Sequence, residues 1–342
     1  METEPPASRG FVRKAPFFIV GSGRSGTTLL QALIDAHPNI AIPPESHSYD
    51  RIEPLIPAYG DLRVSSNRRR FIADLLSDAY IKQWRLDATP DDIEQRLTRA
   101  DRIAIAEAFF SLYAEKHGAT RWGDKTPDHI RHLEAIHADY PDAKLIHLVR
   151  DGRDRAEARR RMIWGPSTAY GIAREWRSEV MRWKAFCDRH GTANTLLIRY
   201  EELVRDPRET VARIFAFLDE PNVDTVSRYT STPLTRELSA KQSRWHSSLA
   251  RSISTKKIGI YRRALSRRDV EIFEAVARDA MLEYGYSPDF SAPRAPTLLE
   301  RGKAFCVDRL LRWARKLAHP YAAWLELQFR LRLARSYHRR SA

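Results

Sequence analysis

Phe17-Phe18-Ile19-Val20 runs without a break into Gly21-Ser22-Gly23-Arg24-Ser25-Gly26-Thr27-Thr28, and this junction constrains the fold of the 342-residue chain more than any other feature. Four apolar residues closed by glycine have the length and flanking of a buried strand. Leu29, Leu30, Leu33 and Ile34 then recur at helical spacing, and Pro38 stops that helix. Ile40-Ala41-Ile42, ahead of Pro43-Pro44, predicts a second short strand. Strand, glycine-rich loop, helix and strand make the opening of a βαβ unit, with the loop at the carboxyl edge of a parallel sheet.

The rest of the chain continues the alternation. Lys144–Val149 and Thr195–Ile198 predict further strands. Helices are predicted over Arg131–Tyr140, Arg153–Ile163, Ala169–His190, Pro207–Leu218 and Val270–Tyr284. Residues 67–118 read as helical with no strand among them, and Thr89-Pro90-Asp91-Asp92 is a helix start with a capping threonine and a proline at the first position. Asp124-Lys125-Thr126-Pro127 reads as a tight polar turn, and residues 222–262 as an ordered polar loop. The fold class is therefore α/β: a parallel sheet flanked by helices. Residues 1–15 form a loose leader and 16–293 the main domain, with a helical insertion at about 60–120. Residues 294–342 form a basic amphipathic helical tail.

Composition narrows the setting. Two cysteines, Cys187 and Cys306, cannot build a disulfide framework or a cysteine zinc site, so a reducing, cytoplasmic location is expected. No secretory signal and no membrane-spanning run is visible. The formal net charge is +14, but residues 294–342 carry 12 Lys/Arg against 3 Asp/Glu. The basic character thus belongs mainly to the tail.

The loop aligns with the nucleotide-binding pattern G-x-x-x-x-G-K-[ST] through Gly21, Gly26 and Thr28, with Thr27 where the lysine belongs. Backbone N–H groups at the helix start would cradle a phosphate. Arg24 is the only cation in the loop, which suits a single 5′-phosphate bearing a less charged group. A carboxylate at Glu45, after the second strand, lies close enough to this edge to accept a proton from a hydroxyl, and His47 is the second candidate base. Arg150, at the carboxyl end of a buried strand, suits an anion.

Phe18–Ile40 resembles the 5′-phosphosulfate segment of sulfotransferases that use 3′-phosphoadenosine 5′-phosphosulfate (PAPS), in a bacterial branch resembling the tyrosylprotein sulfotransferases. That family has a P-loop-like α/β fold and binds its 5′-phosphate without a metal. The resemblance implies that Arg24, Ser25, Gly26, Thr27 and Thr28 hold the 5′-phosphosulfate, that Glu45 is the catalytic base, and that Lys125 points at the sulfuryl group. It implies that Arg150 holds the 3′-phosphate, with Tyr200 beside the nucleotide and Arg251, Lys257 and Gly259 in a late loop that closes over it. The sequence departs from the family at Ala158, where relatives place a serine eight residues after the arginine, at Arg251, where lysine is usual, and at Tyr261, where tryptophan is usual.

The expected reaction moves a sulfuryl group from PAPS, as co-substrate and without metal, to an acceptor hydroxyl on a sugar, lipid headgroup, phenol or tyrosine. Two other classes stay open on sequence: a P-loop kinase or NTPase, and an inert fold that binds a membrane or nucleic-acid surface. His129, His132 and His137 share one segment without zinc spacing, so no metal site is expected. In the tail, Leu299, Cys306, Leu310, Trp313 and Leu317 share a helical stripe among arginines. A second stretch, Tyr321–Tyr337, mixes Trp324 and Phe329 with Arg330, Arg332 and Arg335. An anionic membrane surface is the expected partner through 297–337, nucleic acid is not expected, and a helix docked back on the domain is the alternative.

Overall fold

Five short apolar or paired segments assemble into one parallel sheet. The computed structural model describes residues 14–160, 162, 165–232, 234–235 and 252–318. The strands are β1 (Phe17–Gly21), β2 (Ile40–Ala41), β3 (Arg121–Lys125), β4 (Lys144–Val149) and β5 (Thr195–Arg199), in the spatial order β2-β3-β1-β4-β5. All pairings are parallel, with Ile19 opposite Lys125 and Gly21 opposite Leu148. Every residue of β1 is buried, and its side chains alternate between two cores. Phe18 and Val20 join the cluster under the insertion, with Leu145 and Val149 of β4. Phe17 and Ile19 join the cluster on the opposite face, with Ile146 and Leu148.

Helices cover both faces. α1 (Thr27–Asp35) and α9 (Pro207–Phe217) pack on the second face, with α8 (Tyr200–Arg205) at the end of β5. The first face carries α2 (Ser65–Ser77), α3 (Pro90–Glu94) and α4 (Arg102–Lys116) from the segment between β2 and β3, followed by α5 (Leu133–Asp139) and α6 (Gly152–Arg159). α7 (Ala169–His190) lies on the same side and pairs with α11 (Arg267–Glu283), after a single turn, α10 (Tyr261–Ala264). α3 begins on the predicted capping threonine, and the structure completes a capping box there: Thr89 Oγ1 accepts from the Asp92 N–H. The last described helix, α12 (Leu298–Ala318), docks on the start of α7. No helix among the described residues is long and apolar enough to cross a membrane.

Two sequence readings change. The segment read as a polar turn starts within a strand: Asp124 and Lys125 end β3, which is hydrogen-bonded between β1 and β2. Its polar residues are buried because each has a partner. Arg121 reaches the Leu218 carbonyl and Glu220, and Asp124 accepts from Ser46 and Thr126. Gly123 gives the ring of Phe17 its place, since a Cβ there would stand 2.3 Å from Phe17 Cζ. The leader, too, is held at its end: Lys14 pairs with Glu220 at 3.0 Å. Residues 1–13 and the whole tail beyond Ala318, including the stretch Tyr321–Tyr337, lie outside the described residues.

Candidate active site

The carboxyl edge of the sheet gathers the predicted residues because β1, β3 and β4 all end there. β1 gives way to the glycine-rich loop, which turns through a Ser25 N–H to Ser22 carbonyl bond of 3.1 Å. Gly26 caps α1 at φ 99°, and a Cβ there would meet Tyr200 Cδ2 at 2.6 Å, so this position needs glycine both for its backbone and for the ring beside it. Arg24 also has a positive φ, of 74°, outside the range most residues prefer. Thr27 and Thr28 form the first turn of α1, and their end of the helix has no acidic side chain to occupy its free N–H groups.

The loop is clamped from behind by residues the sequence reading missed. Ser22 Oγ donates to Glu179 Oε2 at 2.6 Å, and Arg155 Nε donates to the Gly23 carbonyl at 2.9 Å. Arg155 and Arg159 both pair with Glu175, and Arg131 pairs with Glu179. One signal was legible: Glu179 falls on the apolar face of α7, among Ile172, Trp176, Val180 and Trp183, where only a paired carboxylate can sit. Of the arginines near Ala158, Arg155 and Arg159 are thus turned toward Glu175 and Arg160 toward Asp269.

Arg150 follows β4 and is 4% exposed. Its guanidinium lies 4.5 Å over the Tyr200 ring and donates to the Lys257 carbonyl at 2.7 Å. Asp154 accepts from the backbone N–H groups of Gly259, at 2.7 Å, and Tyr261, at 3.0 Å, which fixes the late loop beside Arg150. A polar cleft of about 210 Å³ opens there, with Asp154, Gly259, Tyr261 and Arg199 in its wall. Arg251 lies outside the described residues. Three buried polar atoms around the start of α1 have no hydrogen-bond partner: Arg24 Nε, Ser25 Oγ and Arg150 Nε. Buried donors without partners are costly, and an anion with several oxygens would satisfy all three. Burial, then Arg150 and Arg159, lower the Arg24 pKa, as expected for cations crowded without their counter-charge.

At the end of β3, Lys125 Nζ contacts Glu45 Oε1 at 2.5 Å. Lys125 is buried, whereas Glu45 keeps 35% of its side chain exposed. His47 lies between Glu45 at 3.5 Å and Asp50 at 2.9 Å. Burial pushes the Glu45 carboxyl up, but the Lys125 ammonium and the His47 ring hold it well below the usual carboxylate range. Burial works against a charged His47, yet Asp50 and Glu45 raise its pKa well above the ordinary histidine value. The two carboxylates thus favour the protonated ring, which weakens His47 as a candidate base. His129 is fully buried and faces Asp124 at 3.3 Å. Among the described residues, no three His, Cys, Asp or Glu side chains form a group that could hold a metal ion. A separate apolar cavity of about 60 Å³ lies under the insertion, between Phe18, Tyr49, Trp84 and Phe110.

Comparison with known proteins agrees with this geometry. A sulfotransferase family model matches residues 16–224, and a sulfotransferase domain model matches residues 167–285. Nodulation protein NoeE of Sinorhizobium fredii is 27% identical over 314 residues, which covers 84% of this chain and 70% of that protein. Protein-tyrosine sulfotransferase A of Caenorhabditis elegans is 28% identical over 229 residues, 64% of this chain and 53% of that protein. The chain thus spans about half the length of that enzyme. Among solved structures, the sulfotransferase domain of the Synechococcus PCC 7002 olefin synthase superposes with a TM-score of 0.51 at 20% identity, over 90% of this chain and 98% of that one, which identifies the fold.

Proposed function

The chain belongs to the sulfotransferase family, and from that premise we propose that it transfers a sulfuryl group from PAPS to an acceptor hydroxyl. The observation that carries the reading is the set of partnerless buried donors, Arg24 Nε, Ser25 Oγ and Arg150 Nε, around the start of α1. When bound, PAPS supplies an activated sulfuryl group on a phosphate leaving group. Arg24, Ser25, Gly26, Thr27 and Thr28 would hold the 5′-phosphosulfate. Arg150, Tyr200, Lys257 and Gly259, with Arg251, would hold the 3′-phosphate side. The kinase and NTPase alternative lacks support in the loop, where Thr27 replaces the lysine.

Glu45 acts as the base in this reading and Lys125 as the cation that shares the charge on the transferred group. The ion pair between them describes the resting arrangement. A carboxylate tied to an ammonium is ionised but weakly basic. When an anionic sulfuryl group draws Lys125 away, Glu45 regains basicity and takes the acceptor's proton. The acceptor oxygen bonds to sulfur as the bond from sulfur to the phosphate oxygen breaks, leaving 3′,5′-bisphosphoadenosine.

The transfer unit is 16–293, and acceptor choice falls to the helical segment over the first face, within residues 47–120. The acceptor is a hydroxyl compound; the tyrosine-sulfating relatives favour testing peptidyl tyrosine beside sugars, phenols and lipid headgroups. The setting is cytoplasmic and reducing, since Cys187 and Cys306 are free thiols, with the tail at a membrane surface. The test is transfer of labelled sulfuryl from PAPS into such a panel. Glu45→Gln should slow transfer about a hundredfold or more while leaving nucleotide binding intact. No transfer to any hydroxyl acceptor by the native chain, or an undiminished rate in Glu45→Gln, would overturn the assignment or the base.

A further inference from the structure

We infer that α12 is an interfacial anchor whose outward face docks onto an anionic membrane surface. This inference stands independently of the sulfuryl-transfer reading, because it rests on how one helix is oriented. Surface helices normally turn their apolar stripe inward. α12 turns its most exposed apolar residues outward. Its inner edge combines buried Ala304 and half-buried Val307 and Leu311 with Asp308, which accepts from the Ser167 and Thr168 N–H groups at 2.7 and 2.9 Å and from Thr168 Oγ1 at 2.8 Å. These bonds seat α12 on the N-cap of α7. Glu300, near its first turn, pairs with Arg268 at 2.8 Å.

The outer edge carries the apolar residues. Leu298, Leu299, Phe305 and Leu310 are 84%, 83%, 62% and 68% exposed, and Cys306 is exposed with them. The exposed charged residues alongside, Arg301, Lys303 and Arg309, are all basic, because both described acids of the helix, Glu300 and Asp308, are spent on the inner contacts. The docked alternative drawn from sequence is thus half right: the helix docks, but by the edge opposite the stripe of Leu299, Cys306 and Leu310. A contiguous exposed apolar strip on an otherwise packed domain marks an interaction surface.

Charge selects the occupant. The segment 294–342 carries 12 Lys/Arg against 3 Asp/Glu, and the sequence past Ala318 adds Trp324 and Phe329 among Arg330, Arg332 and Arg335. A second copy of this face would bring like charges together. An anionic lipid surface complements both the leucines and the arginines. Docked so, α12 would hold α7, and through its Glu175 and Glu179 the phosphate loop, at a fixed height over the membrane.

The test uses the full chain and sedimentation with vesicles of phosphatidylcholine, with and without phosphatidylserine. Binding should need phosphatidylserine and weaken about tenfold or more at high salt. Leu299→Asp with Leu310→Asp should cut binding about tenfold or more while the melting temperature and labelled transfer stay as in the native chain. Lys303→Glu with Arg309→Glu, which leaves the leucines in place, should do the same through charge. Native-like vesicle binding in both variants overturns the inference. So does a native chain that ignores phosphatidylserine vesicles but is a dimer that the leucine variant splits, since the face would then join two copies. Loss of vesicle binding with transfer intact separates this result from any failure of the sulfotransferase reading.

Discussion

Arg24 holds a left-handed backbone in a loop where a glycine would cost nothing, and its side chain is crowded by Arg150 and Arg159. Strain and like charge at one residue are what a site retains for a bound anion. Arg24→Ala should therefore lower transfer by about a hundred- to a thousandfold, about 3–4 kcal/mol of transition-state stabilisation, with no loss of melting temperature. Turnover near the native rate would remove Arg24 from the mechanism. Glu45 gives a pH prediction. Its carboxyl is depressed by Lys125 and His47 despite burial. A depressed carboxyl contributes stability above the ordinary carboxylate pKa and loses it as pH falls toward the folded value. Transfer that depends on ionised Glu45 should fall along the same limb. Removing either cation raises the Glu45 pKa, so Lys125→Met and His47→Ala should each move the acid limb of the rate profile to higher pH. An acid limb that stays in place in both variants would mean that another group is titrating.

At the scale of elements, the legible parts were those whose residues carry a uniform pattern. β1, β4 and β5 are apolar runs, and α7 repeats its buried face over 22 residues. β3 was illegible because Arg121, Asp124 and Lys125 are buried by pairing with Glu220, Ser46 and Glu45, partners 99, 78 and 80 positions away in the chain. No local pattern can announce such a strand. The same holds for the clamp of Glu175, Glu179 and Arg155, whereas Arg24, Glu45 and Arg150 could be picked out because each follows a legible strand, and Lys125 only through the family resemblance. The phosphate loop offers an element-scale test. Gly26→Ala puts a methyl group at φ 99°, 2.6 Å from Tyr200 Cδ2. It should destabilise the protein by about 1–3 kcal/mol, read by urea denaturation, and push Tyr200 out from under Arg150. A variant as stable as the native chain would mean that the loop relaxes without that contact.

For the molecule as a whole, a ligand that satisfied the partnerless donors at the sheet edge would show as added stability. A ligand that binds the folded chain alone adds about 2.7 kcal/mol when present at a hundred times its dissociation constant. For a chain of this size, that is a rise in melting temperature of about 4 °C. 3′,5′-Bisphosphoadenosine, the product of transfer, should therefore raise the melting temperature by several degrees, and a chelator should leave the rise unchanged. Arg150→Ala should abolish most of it, because that guanidinium is the buried cation stacked on Tyr200 beside the loop that Asp154 fixes. Ala158→Ser, which adds a hydroxyl donor eight residues after Arg150, should enlarge it. ATP with magnesium should give a smaller shift, since Thr27 stands where a β/γ-phosphate would need a lysine. A larger rise with magnesium–ATP than with bisphosphoadenosine would reverse the ordering of the two nucleotides and return the chain to the kinase reading.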